Sequence, residues 1–290
     1  MKKLSAMITF AASLIMGGAV AGVGYKSLCE GIVPPNDLNI PVSLMTEGNL
    51  TETDFNEVLD VVEQYYASIV SNKGATLEVR RLWSNGTVNA SAMQYGSTWI
   101  INMYGGLARH PTITRDGFML VACHEMGHHL GGAPKAGMWG WASNEGQADY
   151  YSSLKCLRFL LKDQDNFEWV ETHTVDPFAM QRCQELYNTQ EEENLCARIS
   201  MAGKSVSFLF QALREEETAP EFNTPDPTVV SRTDNNHPQT QCRLDTYFSG
   251  SLCVHDVNSD LDDSDPTQGT CSRANNAIDG VRPLCWYKPN

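Results

Sequence analysis

The pattern His124-Glu125-Met126-Gly127-His128 constrains this chain more than any other feature of its sequence. On a helix, residues four apart share a face, so His124 and His128 can point their imidazoles at one metal ion. Residues 118–122, which are separated from the pattern by Cys123 alone, are all apolar, and this indicates a buried helix. Because buried His and Glu need polar partners, the pattern favours a metal-binding core helix over a solvated helix with scattered polar residues.

Zinc needs a third protein ligand and an open position for water. One known arrangement places a third histidine six residues after His128, but Pro134 occupies that position. The other arrangement takes a glutamate from the next helix, and Glu145 follows at a distance that allows a turn and a return. Asp149 lies one helical turn after Glu145, where it can accept a hydrogen bond from the far nitrogen of a ligand histidine.

Hydrophobic periodicity predicts an opening helix followed by three short strands. The helix begins at Thr51 or Thr53 and ends at Gly74, since apolar residues between them recur at helical spacing. The predicted strands are Thr76–Trp83, Val88–Tyr95 and Ser97–Tyr104. Asn85-Gly86 is a hairpin signal between the first two strands.

Helical patterning resumes after these strands. It predicts helices over about Asp116–Leu130, Asn144–Leu161, Ala179–Tyr187 and Leu195–Leu213. Beyond Thr218 the chain is rich in Pro, Asp, Asn and Cys and shows little period. The order of elements predicts an α+β domain at residues 51–250 with a disulfide-rich C-terminal extension at residues 251–290.

The N-terminus has the form of a secretory signal peptide. Lys2 and Lys3 precede an uncharged run that contains Ala19-Val20-Ala21, a small-x-small cleavage pattern. We therefore expect residues 1–21 to be removed and residues 22–50 to form a lead-in segment of an exported protein, periplasmic or secreted, with no membrane span. The alternative is an uncleaved N-terminal membrane anchor, because the uncharged run is long enough to span a bilayer.

The chain is acidic, with 35 Asp and Glu against 21 Lys and Arg and a net charge of -14. Such a chain repels phosphate backbones and anionic lipid, so nucleic acid is not an expected partner. The nine cysteines fit an oxidising compartment. Because the count is odd, one thiol should be free, and buried Cys123 is the predicted one. Cys271–Cys285 and Cys242–Cys253 are predicted as local disulfides.

At these residues the sequence resembles the gluzincin metallopeptidases, and more narrowly the family of the CaaX prenyl proteases and the bacterial heat-shock membrane metalloproteases. Two matching motifs are H-E-x-x-H at 124–128 and E-x-x-A-D at 145–149. A third is Val88-Asn89-Ala90 with its edge strand, and the fourth is His237-Pro238 followed by Arg243. The chain departs from the family in lacking several transmembrane helices and in carrying cysteines.

This resemblance implies a zincin-like fold with an active-site helix and a peptide or protein substrate. It implies that His124, His128 and Glu145 bind one Zn²⁺ per chain and that Glu125 is the general base and acid. It further implies that Asn89 holds the substrate backbone, His237 stabilises the oxyanion and Arg243 supports the His237 loop. The expected reaction is hydrolysis of peptide bonds by zinc-activated water.

Two further features bear on substrate binding. The strand Trp99–Tyr104 is expected to be an edge strand that pairs with an extended peptide. The loop Gly132–Ser143 carries Trp139 and Trp141, which form either a wall or lid over the cleft or simply pack on the domain.

Other readings of the sequence stay open. A secreted binding or scaffold protein with a vestigial zinc site fits the acidic surface, and a metal-dependent amidase is a third class. His129 points away from the ligand face and is expected to be structural or exposed. The acidic run from Asp256 has Leu261 where a calcium loop needs glycine, so we interpret it as a solvated loop.

Overall fold

The computed structural model describes residues 31–44, 50–136 and 140–289, so the predicted signal peptide lies outside the described residues. These residues form an α+β architecture in which helices pack with a three-stranded mixed sheet, as the sequence predicted. In chain order the elements are α1 (Glu52–Asn72), β1 (Thr76–Leu82), β2 (Ala90–Tyr95), β3 (Thr98–Tyr104), α2 (Gly105–Ala108), α3 (Arg115–Leu130), α4 (Glu145–Tyr151), α5 (Leu157–Leu161), α6 (Asn166–Thr172), α7 (Pro177–Leu186), α8 (Gln190–Leu213) and α9 (Thr240–Leu252). A π-helical turn, Ser152–Cys156, joins α4 to α5.

Helix α1 begins at a capping box. The Thr51 hydroxyl accepts a hydrogen bond from the Asp54 backbone, and the Asp54 carboxylate accepts one from the Thr51 backbone. The buried face of α1 packs on the sheet and on α3, with the Phe55 ring centroid 5.4 Å from that of Trp83 and 5.1 Å from that of Phe118. This packing joins the first helix to the core around α3.

The sheet has the strand order β1-β3-β2, which corrects two predictions. Strand β3 lies in the centre, parallel to β1 and antiparallel to β2, so Trp99–Tyr104 is not an edge strand. Asn85-Gly86 does not form a hairpin between β1 and β2; the hairpin joins β2 to β3 and turns at Gly96. The apolar run of β3 is buried in consecutive positions, as a central strand requires.

Strand β2 is therefore the edge strand next to α3. Helix α3 begins at Thr114, whose side chain accepts a hydrogen bond from Gly117 N, and it is buried along nearly its whole length. Gly127 allows α4 to approach closely, because a Cβ there would lie 2.9 Å from both Cα and O of Ala148. This contact between small residues holds the start of α4 beside the His residues of α3.

Three helices were not predicted from the sequence. Two are the short helices α2 and α6, and the third is α9, which lies in the region of little hydrophobic period. Helix α9 packs against α8, where a Cβ at Gly203 would lie 2.6 Å from Tyr247 Cβ. Packing of this kind stabilises a helix whose own amphipathic pattern is weak.

Four disulfides cross-link the described chain, and they correct the cysteine predictions. They join Cys123 to Cys156, Cys183 to Cys196, Cys242 to Cys285 and Cys253 to Cys271. Cys123 is not a free thiol, because the π-helical turn that carries Cys156 packs directly on α3. The local pairs Cys271–Cys285 and Cys242–Cys253 are also wrong. The ninth cysteine, Cys29, lies outside the described residues.

The C-terminal residues pack on the helices that carry the candidate site. Trp286 is fully buried and donates from its indole to Thr246 Oγ1 at 3.0 Å. Arg282 donates to Gln147 Oε1 at 2.6 Å, which connects the C-terminal segment to α4. Across the described ranges we find no helix long and apolar enough to cross a membrane.

Candidate metal centre

The structure brings together the three residues predicted as metal ligands. His124 and His128 come from α3, and Glu145 is the first residue of α4. His124 Nε2 lies 3.3 Å from one Glu145 oxygen, and His128 Nε2 lies 3.8 Å from the other. All three residues are buried, and their ligand atoms form a group that could hold one metal ion.

At this group, several buried polar atoms have no hydrogen-bond partner among the described residues. They are His124 Nε2, His128 Nε2, Glu145 Oε2 and both carboxylate oxygens of Glu125. An unsatisfied buried polar group costs about 1–3 kcal/mol, and more when it is charged. Two imidazole nitrogens and a carboxylate oxygen are a donor set typical of zinc, and ligation would satisfy these atoms. The residues present therefore fit a divalent metal.

The Nδ1 atoms of His124 and His128 both make hydrogen bonds within the protein. His124 Nδ1 lies 2.7 Å from Asp149 Oδ1, as predicted for Asp149, and His128 Nδ1 lies 2.9 Å from Ser143 O. Since a carboxylate and a carbonyl only accept, each Nδ1 carries the proton and each Nε2 presents its lone pair to the metal position. The contacts fix both the tautomer and the ring orientation.

Asp149 is itself held by two residues of α9. Arg243 donates to both carboxylate oxygens, at 2.8 and 2.7 Å, and its guanidinium lies 3.9 Å above the Phe210 ring centroid. Tyr247 donates its hydroxyl to Asp149 Oδ1 at 2.7 Å. Arg243 thus acts on His124 through Asp149. Sequence reasoning missed Tyr247, because its only signal is a position one turn after Arg243 on a helix that was not predicted.

The charges around the site favour a cation. Burial alone would lower the pKa of His124, but the carboxylates of Asp149, Glu145 and Glu125 together outweigh burial and raise that pKa to about 9. Burial raises the pKa of Glu125 to about 8, and nearby Glu145 adds to this effect. Burial lowers the pKa of His128 to about 4, so it is a neutral imidazole at pH 7. A field that holds a proton on His124 attracts positive charge, which a divalent metal also supplies.

His237 lies beside the same group on a loop connected to α4. Its Nε2 is 3.2 Å from Glu145 Oε2. The loop is fixed by Asn144, the N-cap of α4, whose amide donates to Asp234 O and to Asn235 Oδ1. One side chain therefore caps the helix that carries Glu145 and also positions the loop that carries His237.

Asn89 immediately precedes edge strand β2, but its amide holds the chain's own backbone. Asn89 Nδ2 donates to Val33 O at 3.1 Å, and Val33 N donates to Asn89 Oδ1 at 3.2 Å. His237 makes a similar contact, with its Nε2 2.6 Å from Gly31 O. Two of the residues predicted to bind substrate are thus in contact with residues 31–33.

His129 has a structural role, as the sequence suggested. Its imidazole is stacked between Trp99 and Trp141, with ring centroids 5.1 and 4.8 Å away. Burial lowers its pKa to about 3, so the ring is neutral at pH 7. Trp141 of the Gly132–Ser143 loop therefore packs on the domain, while Trp139 lies outside the described residues.

Comparison of this chain with protein-family models, with curated proteins and with solved structures found no match.

Proposed function

We propose that this protein is an exported zinc-dependent endopeptidase. The proposal rests on one observation. The Nε2 atoms of two oriented histidines, Oε2 of Glu145 and both oxygens of Glu125 are buried in one group, and none of them has a hydrogen-bond partner among the described residues. Three ligands and a free carboxylate are the parts that zinc-dependent hydrolysis requires. Four disulfides support export, because such bonds persist in oxidising compartments.

In this proposal His124, His128 and Glu145 hold the zinc ion. Bound zinc would supply a Lewis acid that lowers the pKa of water to about 7 and polarises a substrate carbonyl. Glu125 would act first as general base and then as general acid, taking up a proton at its carboxylate and returning it to the leaving amine.

The remaining residues of the proposed site contact the substrate. His237 donates a hydrogen bond to the oxygen that becomes negatively charged when the carbonyl is attacked, a contact worth about 3–4 kcal/mol in comparable sites. The outer edge of β2 offers backbone groups for an extended peptide, in place of the strand that the sequence suggested. Pairing of this kind recognises the main chain of the peptide and depends only weakly on its side chains.

Digestion of a random peptide library, read by mass spectrometry, tests the proposal. The zinc-loaded protein should cleave peptides, and Glu125→Gln should keep its zinc and lose cleavage by about 100-fold or more. Glu191→Gln, at an exposed position of α8, is the matched control and should cleave normally. Cleavage by Glu125→Gln at the wild-type rate would contradict the proposal.

A second candidate is a secreted binding protein with a zinc site that does not hydrolyse. The observation in its favour is that Asn89 and His237 contact residues 31–33 of the same chain rather than lying free for a substrate. Folded protein that binds zinc and never cleaves the library under any condition would favour this candidate.

A further inference from the structure

The segment Gly31–Val33 lies across the groups assigned to the substrate. Ile32 N donates to Ala90 O at 3.1 Å, at the start of edge strand β2. Asn89 contacts both the N–H and the carbonyl of Val33. One backbone hydrogen bond and two bonds of the Asn89 side chain therefore hold this segment at the sheet edge where an extended peptide would add, and here the peptide is part of the same chain.

Two further contacts place this segment at the candidate metal centre. Gly31 O lies 2.6 Å from His237 Nε2, the same nitrogen that lies 3.2 Å from Glu145 Oε2. Ile32 O accepts a hydrogen bond from Arg243, the partner of Asp149, at 2.5 Å. The Gly31 carbonyl thus occupies the position that the proposed function gives to the reacting carbonyl of a substrate.

The segment Gly31–Val33 packs closely against its neighbours through both its backbone and its side chains. Gly31 has φ +101°, and a Cβ there would lie 2.5 Å from Asn89 Oδ1 and closer still to Ala90 O. The side chains of Ile32 and Val33 are fully buried, as those of a bound peptide would be. Position 31 is therefore a point where one methyl group would push the segment away from the cleft.

We propose that Gly31–Val33 is an intramolecular occupant of the peptide-binding cleft and that it blocks substrate until it is displaced. This inference rests on the proposed function of the same site. Because the segment is tethered, its effective concentration at the cleft is high, and a free peptide competes poorly with it. The apparent affinity for substrate then falls by the fraction of molecules in which the cleft is open.

Gly31→Ala in the full chain tests this inference. Its methyl group should displace the segment and raise kcat/KM for peptide cleavage by about tenfold or more. Gly74→Ala is the matched control, since Gly74 also has positive φ but a Cβ there meets nothing within 4 Å. Gly74→Ala should introduce similar backbone strain but should not raise kcat/KM for peptide cleavage. Folded, zinc-loaded Gly31→Ala with the wild-type rate or less would overturn the inference.

A binding measurement separates this inference from the proposed function. A fluorescein-labelled peptide with the sequence of residues 30–36 should bind Gly31→Ala at least about tenfold more tightly than wild type. Equal binding would overturn the inference even if neither protein cleaves peptides. Loss of cleavage in Glu125→Gln, with no gain in Gly31→Ala, would overturn the inference and leave the proposed function standing.

If Gly31→Ala does not fold, a second variant tests the same inference. A specific protease sequence replaces residues 45–49, so that the segment can be cut from the folded protein and removed. Removal should raise both cleavage rate and binding of the labelled peptide, and adding back an excess of the peptide should reverse the gain. Removal with retained zinc and no change in peptide binding would overturn the inference.

Discussion

Asp149 accepts a hydrogen bond from Nδ1 of His124 at 2.7 Å, and this contact connects a candidate zinc ligand to α9. The same carboxylate receives two hydrogen bonds from Arg243 and one from Tyr247. The charge of Asp149 is therefore shared between the imidazole that it orients and a buried guanidinium. Orientation of His124 therefore depends on Arg243, which lies 119 positions later in the chain.

Asp149→Asn should lower zinc affinity about 10- to 100-fold, because an amide of similar shape orients His124 less strongly and adds no negative charge. It should also destabilise the fold by about 3–5 kcal/mol, since Arg243 is left buried without its partner. Competition titration with a zinc chelator measures the first effect. Tyr247→Phe, which removes one hydrogen bond and keeps the ion pair, should change affinity much less. Unchanged affinity in folded Asp149→Asn would show that Asp149 does not support the site.

The disulfide Cys123–Cys156 joins α3 to the π-helical turn, and Cys123 immediately precedes His124, the first candidate metal ligand. Its 33-residue separation corresponds to about 4 kcal/mol of chain entropy. Cys183–Cys196, which closes 13 residues, corresponds to about 3 kcal/mol.

Replacing either pair by alanine should lower the guanidinium midpoint of unfolding. Zinc affinity should fall only in Cys123→Ala/Cys156→Ala, because the other pair lies in α7 and α8, away from the metal ligands. Equal zinc affinity in both double variants would rule out a role for the first disulfide in holding the site.

Local patterns in the sequence predicted the parts of the site that local structure creates. The periodicity of α3 and the spacing to Glu145 and Asp149 are short-range signals, so they identified the ligand group. Strand order could not be read in the same way, because pairing of β1 with β3 depends on contacts distant in sequence. The period of β3 also does not separate a central strand from an edge strand next to a helix.

The cysteine partners were missed for a related reason. A buried helical thiol appears isolated in sequence, whereas the contact between α3 and the π-helical turn brings Cys156 to Cys123. Helix α9 was missed because its stability comes from tertiary contacts, among them the Tyr247 hydroxyl on Asp149 and the Cys242–Cys285 bond.

Lys155 fixes the acidic loop that follows α9. Its ammonium donates to the carbonyls of Asp256, Val257 and Ser259 at 3.0, 2.9 and 2.7 Å. Lys155→Met leaves these carbonyls without the cation and should cost about 2–3 kcal/mol of unfolding free energy.

The same variant should be cut faster in this loop by an added protease, as measured by mass spectrometry of the fragments. Lys162→Met, at an exposed position on the same helical stretch, should behave as wild type. If Lys155→Met resists both denaturant and protease as wild type does, these hydrogen bonds do not stabilise the loop.

Asp245 gives the fold a defined pH dependence. Burial raises its pKa to about 6, against the opposing hydrogen bond from Asp226 N. Between about pH 4 and pH 6 the folded state holds a proton that the unfolded state has lost, so the contribution of Asp245 to stability falls as pH rises. Asp245→Asn should remove this slope from a series of denaturant titrations. If the free energy of unfolding of Asp245→Asn depends on pH as that of the wild type does, other titratable groups cause this dependence.

The zinc content of the folded protein shows whether His124, His128 and Glu145 form a metal site. Metal analysis after exposure to zinc and removal of excess metal should give one zinc per chain, and His124→Ala should fall far below one while keeping its fold. Folded wild-type protein that holds no zinc under these conditions would contradict the account.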